Sequence, residues 1–170
     1  RAYVDATVLI ALGTIGELGL LETVPATSTI LPAVREEVVD EPEATAVDRF
    51  CSRNDVVGRS PPEEYRRQAR DVLGRDRGGE WDGDVAIGAA TLQHDDADES
   101  VLVLSDDKPL RRIVTGFGAS VSGTLGVVVY AVEEGMAADR ALTVVDRIDE
   151  SGLHLSRELR SRVEELVEEE

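Results

Sequence analysis

Short apolar runs alternate along this chain with longer segments whose apolar residues recur at three- and four-residue spacing. The runs near 2–5, 28–31, 54–58, 101–105 and 119–123 predict strands. The segments near 6–18, 32–40, 42–53, 61–74, 83–95, 108–117, 124–135, 137–151 and 156–169 predict helices. Strand-then-helix alternation is the pattern of a parallel α/β sheet with helical crossovers. Pro32 and Pro61 suit the first turn of a helix, Gly58 and Gly116 suit breaks, and 74–83 reads as loop. Arg157 to Glu170 reads as a charged amphipathic helix carrying Leu159, Val163, Leu166 and Val167 on its apolar side. It suits a terminal brace or a partner-binding element better than a second domain. At 170 residues the chain is long enough for one domain with a substantial core.

The same periodicity draws attention to two acids. Val34, Glu37 and Val38 share a face at i, i+3 and i+4, which aims Glu37 inward and leaves Glu36 in solvent. Asp84 heads the stripe Ile87, Gly88, Thr91 and Leu92, and Gly88 permits close approach to the sheet. An acid at the top of a buried stripe costs several kcal/mol unless it is paired or binds metal.

Other acids close strands. Asp5 follows Ala2-Tyr3-Val4, and Asp106-Asp107 follow Val101-Leu102-Val103-Leu104 with one serine between. Ligands of open parallel sheets bind at the carboxyl ends of strands. Carboxylates gathered there repel one another unless a hard cation such as Mg²⁺ or Mn²⁺ neutralises them. Plainer roles stand beside this one. Asp5 can cap the helix that follows it, and Asp106 or Asp107 can cap one beginning at Pro109. Glu37 can pair with an arginine. His94 and His154 lack ligand spacing and read as surface residues, Trp81 as a packing anchor, and Arg66, Arg67 and Arg70 as a solvated face among Glu63, Glu64 and Asp71.

The formal charge is −17, with 35 acidic residues against 18 basic, and Lys108 is the only lysine. Nucleic-acid binders carry a basic footprint, so at ordinary salt this balance argues against one. An acidic, lysine-poor surface resembles proteins of salt-loving archaea. Near 1 M salt the Debye length is about 3 Å, which screens repulsion from RNA. Aromatic residues are 4% of the chain, too few for a base-stacking platform. A lone cysteine, Cys51, excludes an internal disulfide and fits a reducing cytoplasm. No apolar run has the length of a membrane span, and no basic-then-apolar leader is present, so a cytoplasmic location away from membranes is expected.

Taken in order, the segments resemble the motifs of PIN-domain nucleases, including toxin ribonucleases of the VapC type. Tyr3-Val4-Asp5-Ala6-Thr7-Val8-Leu9 is similar to their strand–Asp–x–Ser/Thr start. Ile30 to Val38 is similar to the second motif with its acid at Glu37, and Asp84 to Ala90 to the third. Val103 to Leu110 is similar to the fourth, in which Ser/Thr-x-Asp selects Asp107 and adjacency leaves Asp106 open. Val121 to Val128 is similar to a strand-to-helix turn of an archaeal and bacterial PIN subgroup.

The resemblance implies a three-layer α/β/α sandwich with a five-stranded parallel sheet over residues 1–135, and a C-terminal helical extension over 136–170 bracing the same domain. It implies RNA hydrolysis with Mg²⁺ or Mn²⁺, with Asp5, Glu37, Asp84 and Asp107 as catalytic acids and Asp106 as a further metal ligand. Thr7, Arg111 and Arg112 would position substrate. An antitoxin protein and a second copy of the chain, as a homodimer, are the partners it suggests. Glu80-Trp81-Asp82-Gly83-Asp84 departs from the family's third motif, so Glu80 or Asp82 can supply or share the role given to Asp84. A haloacid-dehalogenase-type phosphatase would want an Asp where Thr7 stands, and a receiver domain would want Lys108 in another setting. A PIN-like module that binds a partner without catalysis is the rival from another class. Relief of like-charge repulsion predicts that Asp5→Asn and Asp84→Asn leave metal-free stability unchanged or raised.

Overall fold

The computed structural model describes residues 1–74 and 82–152, together with positions 161 and 165. In chain order the elements are β1 (Ala2–Val4), α1 (Ala6–Thr14), a 3₁₀ turn (Leu18–Thr23), β2 (Ser28–Thr29), α2 (Pro32–Glu37), α3 (Glu43–Arg53) and α4 (Glu63–Leu73). Then come α5 (Gly83–Asp96), β3 (Leu102–Leu104), α6 (Lys108–Gly116), β4 (Ser120–Ser122), α7 (Thr124–Glu133) and α8 (Ala138–Glu150).

The strands form one all-parallel sheet in the order β2-β1-β3-β4. Val4 pairs with Leu104 and Leu104 with Ser122, so β1, β3 and β4 end in step. Hydrogen bonding runs one residue further, from Asp5 N–H to the Leu104 carbonyl and from Ser105 N–H to the Ser122 carbonyl, both at 2.9 Å. The register therefore delivers Asp5, Ser105 and Gly123 to one carboxyl edge. Connections from β1 to β2 and from β2 to β3 run in opposite directions across the sheet. Right-handed crossovers then put their helices on opposite faces. The contacts of most helices agree: α4, α5 and α6 pack side by side, while α1 meets α7 and α7 meets α8; α3 is the exception, since it lies in the β2–β3 connection yet packs against α1.

The five-stranded sheet expected from the family resemblance is corrected to four strands among the described residues. The segment 54–58 adds a single parallel rung, Ile30 to Val57, in which Ile30 bonds to Val56 O and Gly58 N. Pro32, next in register after Ile30, has no N–H to give the Gly58 carbonyl, which ends the pairing there. The first helix is also shorter than its apolar pattern. It stops at Thr14 because Gly16 takes the left-handed conformation, φ 72°, and the chain turns.

The central strand β1 is buried throughout, which explains a run with no polar alternation. Leu9 and Leu12 of α1, Ile87 of α5, Leu104 of β3, Leu110 of α6 and Val128 of α7 fill one cluster with it. Ala141, Val144, Val145 and Ile148 of α8 join the same cluster, so that helix rides on the main core. On α4, Arg66 and Arg70 both pair with Glu63, as the charge pattern suggests. The expectations for Glu80, Trp81, His154 and the Arg157–Glu170 helix lie outside the described residues.

Candidate functional site at the carboxyl edge of the sheet

Asp5 is 2% exposed, the only acidic residue in the buried class among the described residues. It sits at the N-cap of α1 with extended backbone, and its Oδ1 accepts the Ala6 N–H at 2.8 Å. Its Oδ2 accepts two hydroxyls, Thr7 Oγ1 at 2.6 Å and Ser105 Oγ at 2.7 Å. Each hydroxyl in turn accepts a backbone N–H of the β3–α6 turn at 3.0 Å, Asp106 N–H on Thr7 and Asp107 N–H on Ser105. Two successive peptide dipoles are thus relayed through two hydroxyls onto one carboxylate oxygen. The capping reading of Asp5 is correct, and it is only a third of its bonding.

The two acids of the turn divide their work. Asp107 caps α6, with its Oδ1 accepting the Leu110 N–H at 2.7 Å. Asp106 reaches across to α7, where its oxygens accept the Thr124 N–H at 2.9 Å and the Thr124 hydroxyl at 2.5 Å. Arg111 is half-buried and donates to the Ser105 carbonyl at 3.2 Å, while Arg112 is exposed. Thr7, offered above as a substrate contact, has its proton on Asp5 and a lone pair on Asp106 N–H, so its role is internal to the site.

A second acidic group surrounds the start of α5. Asp95 near the end of that helix stands against Gly118, just ahead of β4, which puts its C-terminus at the entry edge of the sheet. Fourteen residues at 1.5 Å rise carry its N-terminus about 20 Å away, toward the carboxyl edge. There Asp82 caps the helix through Val85 N–H at 3.1 Å, and Glu37 Oε1 accepts the Gly83 N–H at 2.7 Å. A Cβ on Gly83 would stand 2.7–3.0 Å from the Glu37 carboxylate atoms, so glycine lets that carboxylate lie against the helix terminus. The inward face predicted for Glu37 is corrected. Val34 and Val38 are buried but Glu37 is exposed, because α2 ends at Glu37 and Val38 is extended, ψ 90°. Asp84 is half-buried above buried Ile87, Gly88 and Thr91, as its stripe predicts.

The site's fit to a divalent cation is uneven. Among the described residues no three of His, Cys, Asp and Glu gather closely enough to hold one ion, so the single multi-acid centre expected from the sequence is not found there. Asp5 by itself has the right chemistry. No ion pair among the described residues includes it, its three donors are neutral, and an ionised carboxylate has about four lone-pair sites, which leaves one. Mg²⁺ commonly keeps several waters and takes one or two carboxylates with substrate phosphates, a demand this edge can meet.

Ser105, Thr124, Gly83 and Gly123 figure in the sequence motifs only as letters, with no role attached. The available signal was the pairing of a serine at the end of one strand with an aspartate at the end of another. His94 is also corrected from a surface residue: its Nε2 lies 2.8 Å from the Tyr3 hydroxyl and its Nδ1 2.8 Å from Glu99. Burial raises the Tyr3 phenol above its ordinary value; nearby Arg1 opposes that shift and Glu99 adds to it.

A family model described as PIN domain (DUF3368) matches residues 2–169. No curated protein and no solved structure matches the chain.

Proposed function

Because this chain belongs to the PIN-domain family, we propose that it is a metal-dependent endoribonuclease that hydrolyses RNA phosphodiester bonds at the carboxyl edge of its sheet. The observation that carries the reading is Asp5: a buried carboxylate with only neutral hydrogen-bond donors, at the edge where β1 and β3 end together. Holding an unpaired charge at such a site costs several kcal/mol, a cost a cation would offset. Asp5 and Asp107 are the residues to hold Mg²⁺ or Mn²⁺, with Glu37 and Asp84 approaching from the α5 side. The ion, when bound, supplies Lewis-acid stabilisation of phosphate charge and lowers the pKa of its water. Thr7 and Ser105 fix the carboxylate's orientation, Arg111 braces the turn, and exposed Arg112 is available to an RNA phosphate.

The test is an Mg²⁺ and Mn²⁺ titration of the purified chain in molar KCl against a panel of RNAs. Divalent-dependent cleavage that Asp5→Asn abolishes supports the nuclease. A second reading, a PIN-like module that binds a partner without cleaving, is favoured by the lack of three gathered acids among the described residues. It predicts no cleavage with any metal and unchanged partner binding in Asp5→Asn. Growth arrest on expression, relieved by the same substitution, would carry the narrower toxin assignment.

A further inference from the structure

Of the two acids in the β3–α6 turn, Asp106 has both oxygens engaged with one residue. Thr124, fully buried at the first position of α7, donates its N–H to Oδ1 and its hydroxyl to Oδ2. The neighbouring glycine is there for space: Gly123 has φ −130°, open to any residue, yet a Cβ would overlap Asp106 Oδ1 and stand 3.1 Å from Arg111 Nη1. On its other side, Asp106 donates its N–H to Thr7, which donates to Asp5. A continuous path, Thr124–Asp106–Thr7–Asp5, runs from α7 across the turn to β1.

We infer that Asp106 is a positioning residue: through Thr124 it fixes the turn whose N–H groups orient Thr7 and Ser105 on Asp5, and its two remaining lone-pair sites make no bond to the cation. The inference rests on the nuclease reading for its effect on cleavage, but the joint itself does not. Asparagine is the discriminating replacement at 106. Its oxygen accepts the Thr124 N–H, its amide donates to the Thr124 hydroxyl oxygen, and only the charge is lost.

The experiment measures Mn²⁺ binding by the electron paramagnetic resonance signal of free Mn²⁺, RNA cleavage, and thermal midpoints for the full chain in molar KCl. Asp106→Asn is expected to bind Mn²⁺ within about threefold of the parent, whereas loss of a joint that orients a ligand, in Asp106→Ala or Thr124→Val, lowers kcat about 10–100-fold. Thr124→Ser restores kcat, and the Ala/Val double variant is no worse than either single one, as expected of two groups acting as a unit. Mn²⁺ affinity falling about tenfold or more in Asp106→Asn while Thr124→Val keeps parental affinity would make Asp106 a ligand and overturn the inference. If the parent neither binds Mn²⁺ nor cleaves, the nuclease reading has failed, and the midpoints decide: coupled losses of Asp106→Ala and Thr124→Val support the joint, additive losses refute it.

Discussion

Replacing Ser105 with alanine tests the site at its most connected point. The hydroxyl is fully buried and acts twice, donating to Asp5 Oδ2 at 2.7 Å and accepting the Asp107 N–H at 3.0 Å. A hydrogen bond to a charged group is worth about 1.5–3 kcal/mol, and a buried N–H left without a partner costs about 1–3 kcal/mol. Thr7 still holds Asp5 Oδ2, so the two terms overlap and the loss should be about 2–4 kcal/mol. At about 2–4 °C per kcal/mol for a domain of this size, the midpoint falls by roughly 5–15 °C. Thermal and urea melts in molar KCl with chelator measure this, in the parent and in an Asp5→Asn background. With no charge to support, the Asn background should shrink the serine's contribution by about 1 kcal/mol or more. A loss below about 0.5 kcal/mol, or one equal in both backgrounds, would refute the relay from turn to carboxylate.

Asp5→Asn should abolish cleavage and, contrary to the like-charge argument from sequence, destabilise by about 1–3 kcal/mol in chelator, because an amide must give up either the Ala6 N–H or an acceptor for two hydroxyls. A raised midpoint would sink this account. Gly83→Ala should lower cleavage while shifting stability by less than about 1 kcal/mol, since the displaced atoms are the end of the flexible Glu37 side chain; parental cleavage rates would remove Glu37 from the site. Burial raises the Cys51 thiol above its ordinary value, so its alkylation at pH 8 should run slower than in the urea-unfolded chain, and an equal rate would refute this. The sign follows from linkage: a raised thiol pKa contributes stability present below the unfolded value and lost as pH rises through the folded one, and Cys51→Ala should flatten the stability profile in that alkaline window. Finally, dilution from molar to about 0.1 M KCl lengthens the Debye length from about 3 to 10 Å and should lower the midpoint of a chain of charge −17; a midpoint independent of KCl would contradict the halophilic reading.

What the sequence made legible was local. Helix α5 begins at Gly83 as expected and ends within a residue of the expected position, because Asp82 caps it and its apolar period is unbroken. The β3–α6 boundary was readable from Asp107 as cap and Pro109 in the first turn. Properties that depend on where neighbouring elements stop were not readable. Whether 54–58 forms a strand depends on how far β2 extends as a template, and that is only to the Ile30 rung. The orientation of Glu37 depends on where α2 ends, and a face computed at 100° per residue fails one residue past the last turn. The Ser105–Asp5 bond joins positions 100 apart and follows only from register.

The chain's acidity and its site obey different electrostatics. Its outer acids pair with arginines where solvent reaches, as in Arg35–Asp48 at 2.7 Å and Arg140–Glu17 at 3.0 Å; such pairs are worth at most about 1 kcal/mol and weaken with salt. Asp5 is held by hydroxyls and a peptide N–H, interactions that added salt barely changes because solvent is nearly excluded. A medium concentrated enough to screen the surface therefore leaves the geometry of the buried carboxylate intact. Either kind of ion would exchange one water for the single oxygen, but a divalent ion brings twice the charge to a carboxylate from which solvent is nearly excluded. Selectivity for the divalent cation would then come from its charge acting on a nearly dry carboxylate.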